Sequence, residues 1–282
     1  MKYSKEQQEA INTIDGQVCI ISVAGSGKTS VIVARANNII KSGVRPYRIL
    51  VLTFSKAAAV QMADRYKMQY GSDGIRFSTI HSLCYSVLAR AYNLKAEDIL
   101  SEAGRLKFFT EFHRQLLYKR VSGVPDDFDE YYRKCNEYIN SMAVGTADIQ
   151  DSKSSSKAYL EITFSQYKEF KKNNKKLDFD DMILYCHKCL SSNKKELEYW
   201  QGIFDYIMVD EFQDTGTLQA EIIYMVADLR KNVCVVGDDD QSIYRFRGSK
   251  PEIMLGFEKD YPNAKRILFD TNYSCLLYTS PS

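Results

Sequence analysis

Three things are scarce in this sequence of 282 residues: net charge, long apolar runs and grouped metal ligands. Lys and Arg total 38 against 36 Asp and Glu, a formal charge of only +2. Bulk electrostatics therefore neither favours nor excludes a nucleic-acid partner, and any basic surface has to be local. No apolar stretch approaches the ~20 residues that cross a bilayer, so no membrane partner is expected. The start, Met1-Lys-Tyr-Ser-Lys-Glu-Gln7, is too polar for a secretory leader. The seven cysteines are odd in number and scattered, which argues against a disulfide framework and for a reducing, cytoplasmic setting. Cys186-His-Lys-Cys189 has a metal-like spacing, but it lies in Phe179–Leu190, a run that reads as helix, with no second Cys or His pair nearby. A closed zinc site needs four ligands, so these read as two buried helix cysteines.

What is present is ordinary globular composition, 45% apolar and 26% charged, with room for one large or two smaller domains. The most informative stretch is Ile20-Ile-Ser-Val-Ala-Gly-Ser-Gly-Lys-Thr-Ser30. An apolar, β-branched run from Val18 to Val23 predicts a buried strand, and Val31–Ala36 predicts a helix after the glycine turn. Strand, glycine turn and helix in that order make a phosphate-binding loop. Gly25 and Gly27 let successive N–H groups point inward at an anion, and the helix N-terminus adds its positive dipole end. The motif assigns Lys28 to the β- and γ-phosphates and the Thr29 hydroxyl to Mg²⁺. Ser22 stands where the motif's first glycine usually does, a position expected to close the strand without touching phosphate. One strand upstream, Gln7 offers a donor and an acceptor side by side, matching the N6 and N7 edge of adenine.

Further strands are predicted at Arg48–Thr53, Ile75–Ile80, Tyr206–Asp210 and Asn232–Gly237, alternating with helices. That alternation predicts a parallel, doubly wound α/β sheet, with ligands gathered at the carboxyl ends of its strands. Thr53, Phe54, Thr79 and His81 fall at such ends. From about residue 89 to 176 strand-like runs vanish and apolar residues recur at helical spacing, as in Leu160, Phe164 and Tyr167. This reads as a helical insertion between two parts of the α/β domain, residues 1–88 and 177–275. The basic run Lys171–Lys176 reads as solvated surface.

An acidic pair, Asp210-Glu211, follows the apolar run Tyr206–Val209. In a protein with a phosphate loop, Asp210 would hold Mg²⁺ through water and Glu211 would take the proton of the attacking water. Gln241, past the next strand, would sense the γ-phosphate. Tyr244, Phe246 and Arg247 interleave aromatic and cationic groups in the manner of single-strand platforms, with core packing as the alternative.

Together these stretches resemble the ATP-binding domain of the UvrD/Rep family of superfamily 1 DNA helicases, a RecA-like P-loop NTPase. The resemblance runs from residue 1 to about 273. It rests on Gln7, Ala24–Thr29, Thr53-Phe54 with Ala57-Ala58, Asp210–Thr215 with Gln219, and Gly237–Tyr244 with Phe246-Arg-Gly248. It implies ATP and Mg²⁺ as cofactors, 3′ to 5′ movement along single-stranded DNA, unwinding of 3′-tailed duplexes, and a part in DNA metabolism such as repair. It extends the nucleotide site to Ala24, Gly25, Ser26, Gly27, Lys28, Thr29, Ser30, Arg35 and Tyr273, with Gln7 on adenine. It assigns Lys28, Asp210, Glu211 and Gln241 to catalysis, with Thr29 and Asp210 on the metal. Thr53, Phe54, Thr79, His81, Tyr244, Phe246 and Arg247 match DNA-contacting positions; Phe246 replaces the Trp common in the family.

The family's pattern breaks after Tyr273, where Asn-Tyr is normally followed by Arg and here by Ser274. The residues beyond, with 276–282 as an atypical tail, suggest a truncated or frame-shifted reading that lacks the second RecA-like domain. Two other readings stand beside the translocase. One is an ATP- and DNA-binding module without helicase activity; the other, a small-molecule kinase, fits Asp210–Thr215 and Gln241–Tyr244 poorly.

Overall fold

The structure is a computed structural model that describes residues 3–71, 74–144, 155–238 and 252–272. In chain order it runs α1 (Lys5–Asn12), β1 (Gln17–Ser22), α2 (Lys28–Lys41), β2 (Ile49–Thr53), α3 (Lys56–Tyr70), β3 (Arg76–Thr79) and α4 (Ile80–Tyr92). There follow α5 (Glu102–Tyr118), α6 (Phe128–Val144), α7 (Ser155–Asn173), α8 (Phe179–Ser192) and α9 (Lys194–Ile203). The chain then returns to β4 (Tyr206–Val209), α10 (Thr217–Ala227), β5 (Val233–Gly237), α11 (Glu252–Asp260) and β6 (Lys265–Phe269). It divides into two compact units, residues 1–87 with 186–282, and residues 88–185.

The first unit is built on a six-stranded sheet ordered β3-β2-β4-β5-β1-β6. Every pairing is parallel, as the alternation of strands and helices predicted. β2, β4 and β5 are buried along their whole length. Their near-continuous apolar runs suit a sheet covered on both faces. β6 is the strand that the sequence reading did not identify. It lies at the sheet edge with Lys265, Arg266 and Leu268 exposed and Ile267 and Phe269 inward. Charges along an edge discourage pairing with another chain. β1 and β4 are separated only by β5, with Ile21 opposite Gly237 and Val209 opposite Val235. The carboxyl ends of β1, β4 and β5 therefore open on the same edge of the sheet.

The second unit is helical, and its core is aromatic. Phe109, Tyr131, Tyr159 and Tyr167 are buried within it. His113 stacks on Tyr131 with ring centroids 4.4 Å apart, and its Nε2 pairs with the Pro125 carbonyl at 2.7 Å. Leu160, Phe164 and Tyr167 pack together from α7, as their spacing implied. Entry and exit of this segment are stitched by Leu100 N–H donating to the Leu177 carbonyl at 2.8 Å and Leu177 N–H to Asp98 at 2.9 Å. The basic run at 171–176 departs from the solvated surface expected of it. Lys171 is drawn inward by two carboxylates, Asp178 at 2.7 Å and Asp181 at 2.6 Å, and keeps only 12% side-chain exposure. Lys176 donates to the Glu97 carbonyl. A buried carboxylate such as Asp178 requires a cation, and the neighbouring run supplies it.

Among the described residues no helix is long and apolar enough to cross a membrane. Cys186 and Cys189 are buried thiols on α8, and His187 between them pairs with Glu221 at 2.7 Å.

Candidate active site

The loop after β1 curls because Gly25 and Gly27 both take left-handed backbone angles, φ +73° and +83°. Side chains rarely tolerate that region. Gly27 has a second reason to lack one, since a Cβ there would meet Gln7 Nε2 at 3.1 Å. Helix α2 starts at Lys28, so its unpaired N–H groups face the loop. Ala24 and Gly25 are exposed at the tip. Ser26 is fully buried, and its hydroxyl has no hydrogen-bond partner among the described residues. Such an orphaned donor, beside a helix N-terminus and a lysine, fits a phosphate oxygen.

Three acidic side chains converge on this loop from the neighbouring strand ends. Lys28 Nζ lies 3.4 Å from Glu211 Oε2 and 3.8 Å from Asp238 Oδ2. Asp210 is 9% exposed at the end of β4, and its backbone N–H donates to the Leu52 carbonyl at 2.9 Å. Burial, and then the negative charge of Glu211, push the Asp210 carboxyl up to about 6. Glu211 takes a left-handed conformation, φ +51°, unusual for a residue with a side chain. That strain is held in place by hydrogen bonds. Glu211 N–H donates to Asp210 Oδ1 at 3.1 Å, and Gln213 Nε2 donates to Glu211 Oε2 at 2.7 Å. The other end of the Gln213 amide accepts the Asp238 N–H at 3.0 Å.

Ser22 sits buried at the end of β1 and donates to the Gly237 carbonyl at 3.0 Å. It joins two strands, which a glycine there would not do. Gln7 lies against the loop, with Nε2 donating to the Ser26 carbonyl at 2.8 Å and Oε1 accepting Ser4 N–H at 2.9 Å. Its acceptor thus serves the capping box of α1 rather than standing open beside its donor. Thr29 stands in the first turn of α2, and Ser30 accepts from Arg65 at 3.3 Å.

Arg35 corrects the expectation that it reaches the nucleotide. Only 2% exposed, it turns its guanidinium to the carbonyls of Ala10, Thr13 and Ile14. The last carbonyls of a helix have no intrahelical partners, and a fork of fixed donors satisfies several at once. Arg35 is therefore committed to the end of α1.

Phe54 and His81 share a cleft of about 80 Å³ with Thr53, Asp210, Glu211 and Gln219. Phe54 is 58% exposed at the mouth of β2, while burial holds the His81 imidazole below its usual value. Thr53 and Thr79 spend their hydroxyls locally, Thr53 on the Ser55 carbonyl at 2.9 Å and Thr79 as acceptor from Ser82 N–H at 3.2 Å. Gln241, Tyr244, Phe246, Arg247 and Tyr273 lie outside the described residues. Gln213 and Asp238 carried no role in the sequence reading. The signal available for Gln213 was a polar residue between two acids at a strand end; for Asp238 it was an acid directly after an apolar strand.

The acidic groups do not form a closed metal cage. No cluster of three or more His, Cys, Asp or Glu that could hold an ion occurs among the described residues. Mg²⁺ is commonly held by one or two protein ligands plus substrate phosphates, so Thr29 and Asp210 are a sufficient protein share.

Comparison with known proteins agrees with this arrangement. PcrA of Bacillus subtilis, named an ATP-dependent DNA helicase, is 35% identical over 281 residues, covering 95% of this chain and 37% of that protein. YjcD of the same organism is 34% identical over 278 residues, covering 95% and 36%. PcrA of Staphylococcus aureus strain Mu50 is 33% identical over 283 residues, covering 95% and 37%. The chain thus spans little more than a third of the length of these relatives. The profile of the UvrD/REP helicase N-terminal domain matches residues 3–262, nearly the whole chain, and the chain belongs to that family.

Proposed function

We propose that this chain is the ATP-binding domain of a DNA translocase. The observation that carries the reading is the convergence of Lys28, Glu211 and Asp238 at adjoining strand ends beside an orphaned Ser26 hydroxyl. In this reading the loop N–H groups and Lys28 hold the β- and γ-phosphates of ATP. Thr29 and Asp210 hold Mg²⁺, which when bound neutralises charge developing on the phosphate oxygens. Glu211 accepts the proton of the attacking water. Gln7 swings its amide from the capping box to the adenine edge, and Tyr273 stacks on that base. Phe54 and His81, with Tyr244, Phe246 and Arg247, contact single-stranded DNA. The cleft that Phe54 and His81 share with Asp210 and Glu211 supports a coupling between DNA and hydrolysis. In a protein of the relatives' length, this coupling drives 3′ to 5′ movement and opening of 3′-tailed duplexes. A cytoplasmic setting fits the six buried thiols.

A polypeptide of just these 282 residues should bind without unwinding. Alternating grip needs two domains that close and open with ATP, and an arginine reaching the γ-phosphate contributes about 10³–10⁵ in rate. The test is ATP binding, single-strand binding and displacement of a 3′-tailed duplex by the purified chain. ATP and DNA should each bind, each altering the affinity for the other, with no strand separation. Failure to bind ATP overturns the nucleotide reading. Displacement that Lys28→Ala abolishes overturns the view that these residues alone do not unwind.

A further inference from the structure

The Gln213 amide is buried, 5% exposed, between two groups of opposite need. Its Nε2 faces a carboxylate oxygen of Glu211 at 2.7 Å, and its Oε1 faces the Asp238 N–H at 3.0 Å. This fixes the amide's orientation, because the flipped form would set oxygen against carboxylate and NH₂ against N–H. Glutamine is therefore chemically specified: Glu would repel Glu211, and an apolar side chain would leave the Asp238 N–H unmet. The turn that carries it, Phe212–Asp214, is anchored by Phe212, fully buried and edge-on to Phe257 at 6.0 Å. The strand end it reaches is also prepared. Ser22 holds the Gly237 carbonyl from β1, and a Cβ on Gly237 would lie only 2.8 Å from Gln213 Oε1.

We propose that Gln213 is a positioning residue that aims the Glu211 carboxylate and ties its state to the carboxyl end of β5. The proposal rests on the reading of Glu211 as the base. When Glu211 takes up a proton, the charge-assisted bond from Gln213 weakens, and a bond to a charged group is roughly twice as strong as a neutral one. The amide then relaxes its hold on Asp238, the residue through which β5 leads toward Gln241 in the sequence. Gln213 thereby passes a change at the site of hydrolysis to the next strand end without touching nucleotide itself.

The test is a double-mutant cycle in the ¹⁵N-labelled chain, read at the Asp238 amide. The four members are the unaltered chain, Glu211→Gln, Gln213→Met and the pair together. Glu211→Gln should shift the Asp238 resonance when Gln213 is present and leave it unmoved in the Gln213→Met background. Gln213→Met should also speed exchange of the Asp238 amide roughly tenfold, the loss of one net hydrogen bond. Slow exchange at Val235 should persist and mark an intact sheet. Gly237→Ala is a second route, since its Cβ displaces the Gln213 amide and the Met254 side chain, both flexible tips, and should likewise uncouple Asp238 from Glu211. Equal response to Glu211→Gln in both backgrounds overturns the proposal. If that occurs while Glu211→Gln still halts hydrolysis in a protein of the relatives' length, the base reading stands alone. If the cycle is coupled but Glu211→Gln hydrolyses normally, the base reading is the one that falls.

Discussion

Lys28 and Glu211, 183 positions apart in the chain, bring an ammonium and a carboxylate within 3.4 Å at the ends of β1 and β4. Lys28 also lies 3.8 Å from Asp238 at the end of β5, so one cation serves two acids from two strands. Its side chain is only 11% exposed, which keeps solvent screening low. A phosphate that takes Lys28 must compete with both carboxylates, and the acids are left to other partners.

Lys28→Ala is expected to weaken ATP binding by about 10–100-fold, the loss of one hydrogen bond to a charged group. Titration with a fluorescent nucleotide measures it. Affinity equal to that of the unaltered chain would remove the loop from the nucleotide site.

Asp210→Asn should stabilise the folded chain at neutral pH. The Asp210 carboxyl is raised to about 6 in the fold from a reference of 3.8, so the folded state holds a proton that the unfolded state releases. Its contribution therefore falls as pH rises between those two values and stays lost above the higher one. The asparagine avoids that loss. Its gain should be on the order of 3 kcal/mol at most above pH ~6, at about 1.4 kcal/mol per pH unit, and should vanish below pH ~4. Thermal unfolding of both proteins across this range checks it. A gain independent of pH would place the cause outside the Asp210 carboxyl.

Arg35→Lys should cost about 2–3 kcal/mol of stability, because a point charge cannot satisfy three carbonyls as a planar fork does. The preference for adenine over guanine nucleotides should not change. Denaturant unfolding and competitive nucleotide binding give the two readouts. Altered base preference with stability intact would return Arg35 to the nucleotide.

Phe246→Ala should weaken single-stranded DNA binding by roughly 1–3 kcal/mol if its ring stacks on a base. Fluorescence anisotropy with a labelled oligonucleotide, alongside circular dichroism for the fold, decides between stacking and core packing. Unaltered DNA affinity favours the core.

Much of the site was legible in short stretches. Val18–Val23, the glycines at 25 and 27, and Lys28-Thr29 encode strand, turn and helix locally, because backbone preference and burial pattern act over a few residues. The acids after Tyr206–Val209 were readable for the same reason. Arg35 was not: its place in the helix after the phosphate loop suggests the nucleotide, while its partners come from the end of α1, 21 to 25 positions earlier. β6 was missed because an edge strand buries only alternate residues, and Lys265 and Arg266 mask the pattern. The lysines at 171–176 looked like surface because nothing in their own run reveals the buried carboxylate of Asp178.

By itself, then, the amino-acid order determined the elements and the chemistry carried at their ends: a phosphate loop, an acidic pair, and alternating strands and helices that close only as a parallel sheet. Tertiary structure alone decided that β5 lies between β1 and β4. That neighbourhood makes Asp238 a partner of Lys28 and lets Gln213 span from Glu211 to the next strand. The reason is physical. Dihedral preference and hydrophobic period are fixed by near neighbours, whereas strand order is settled by how apolar faces pack across long separations in the chain, and the acids, amides and cations follow the strands that carry them.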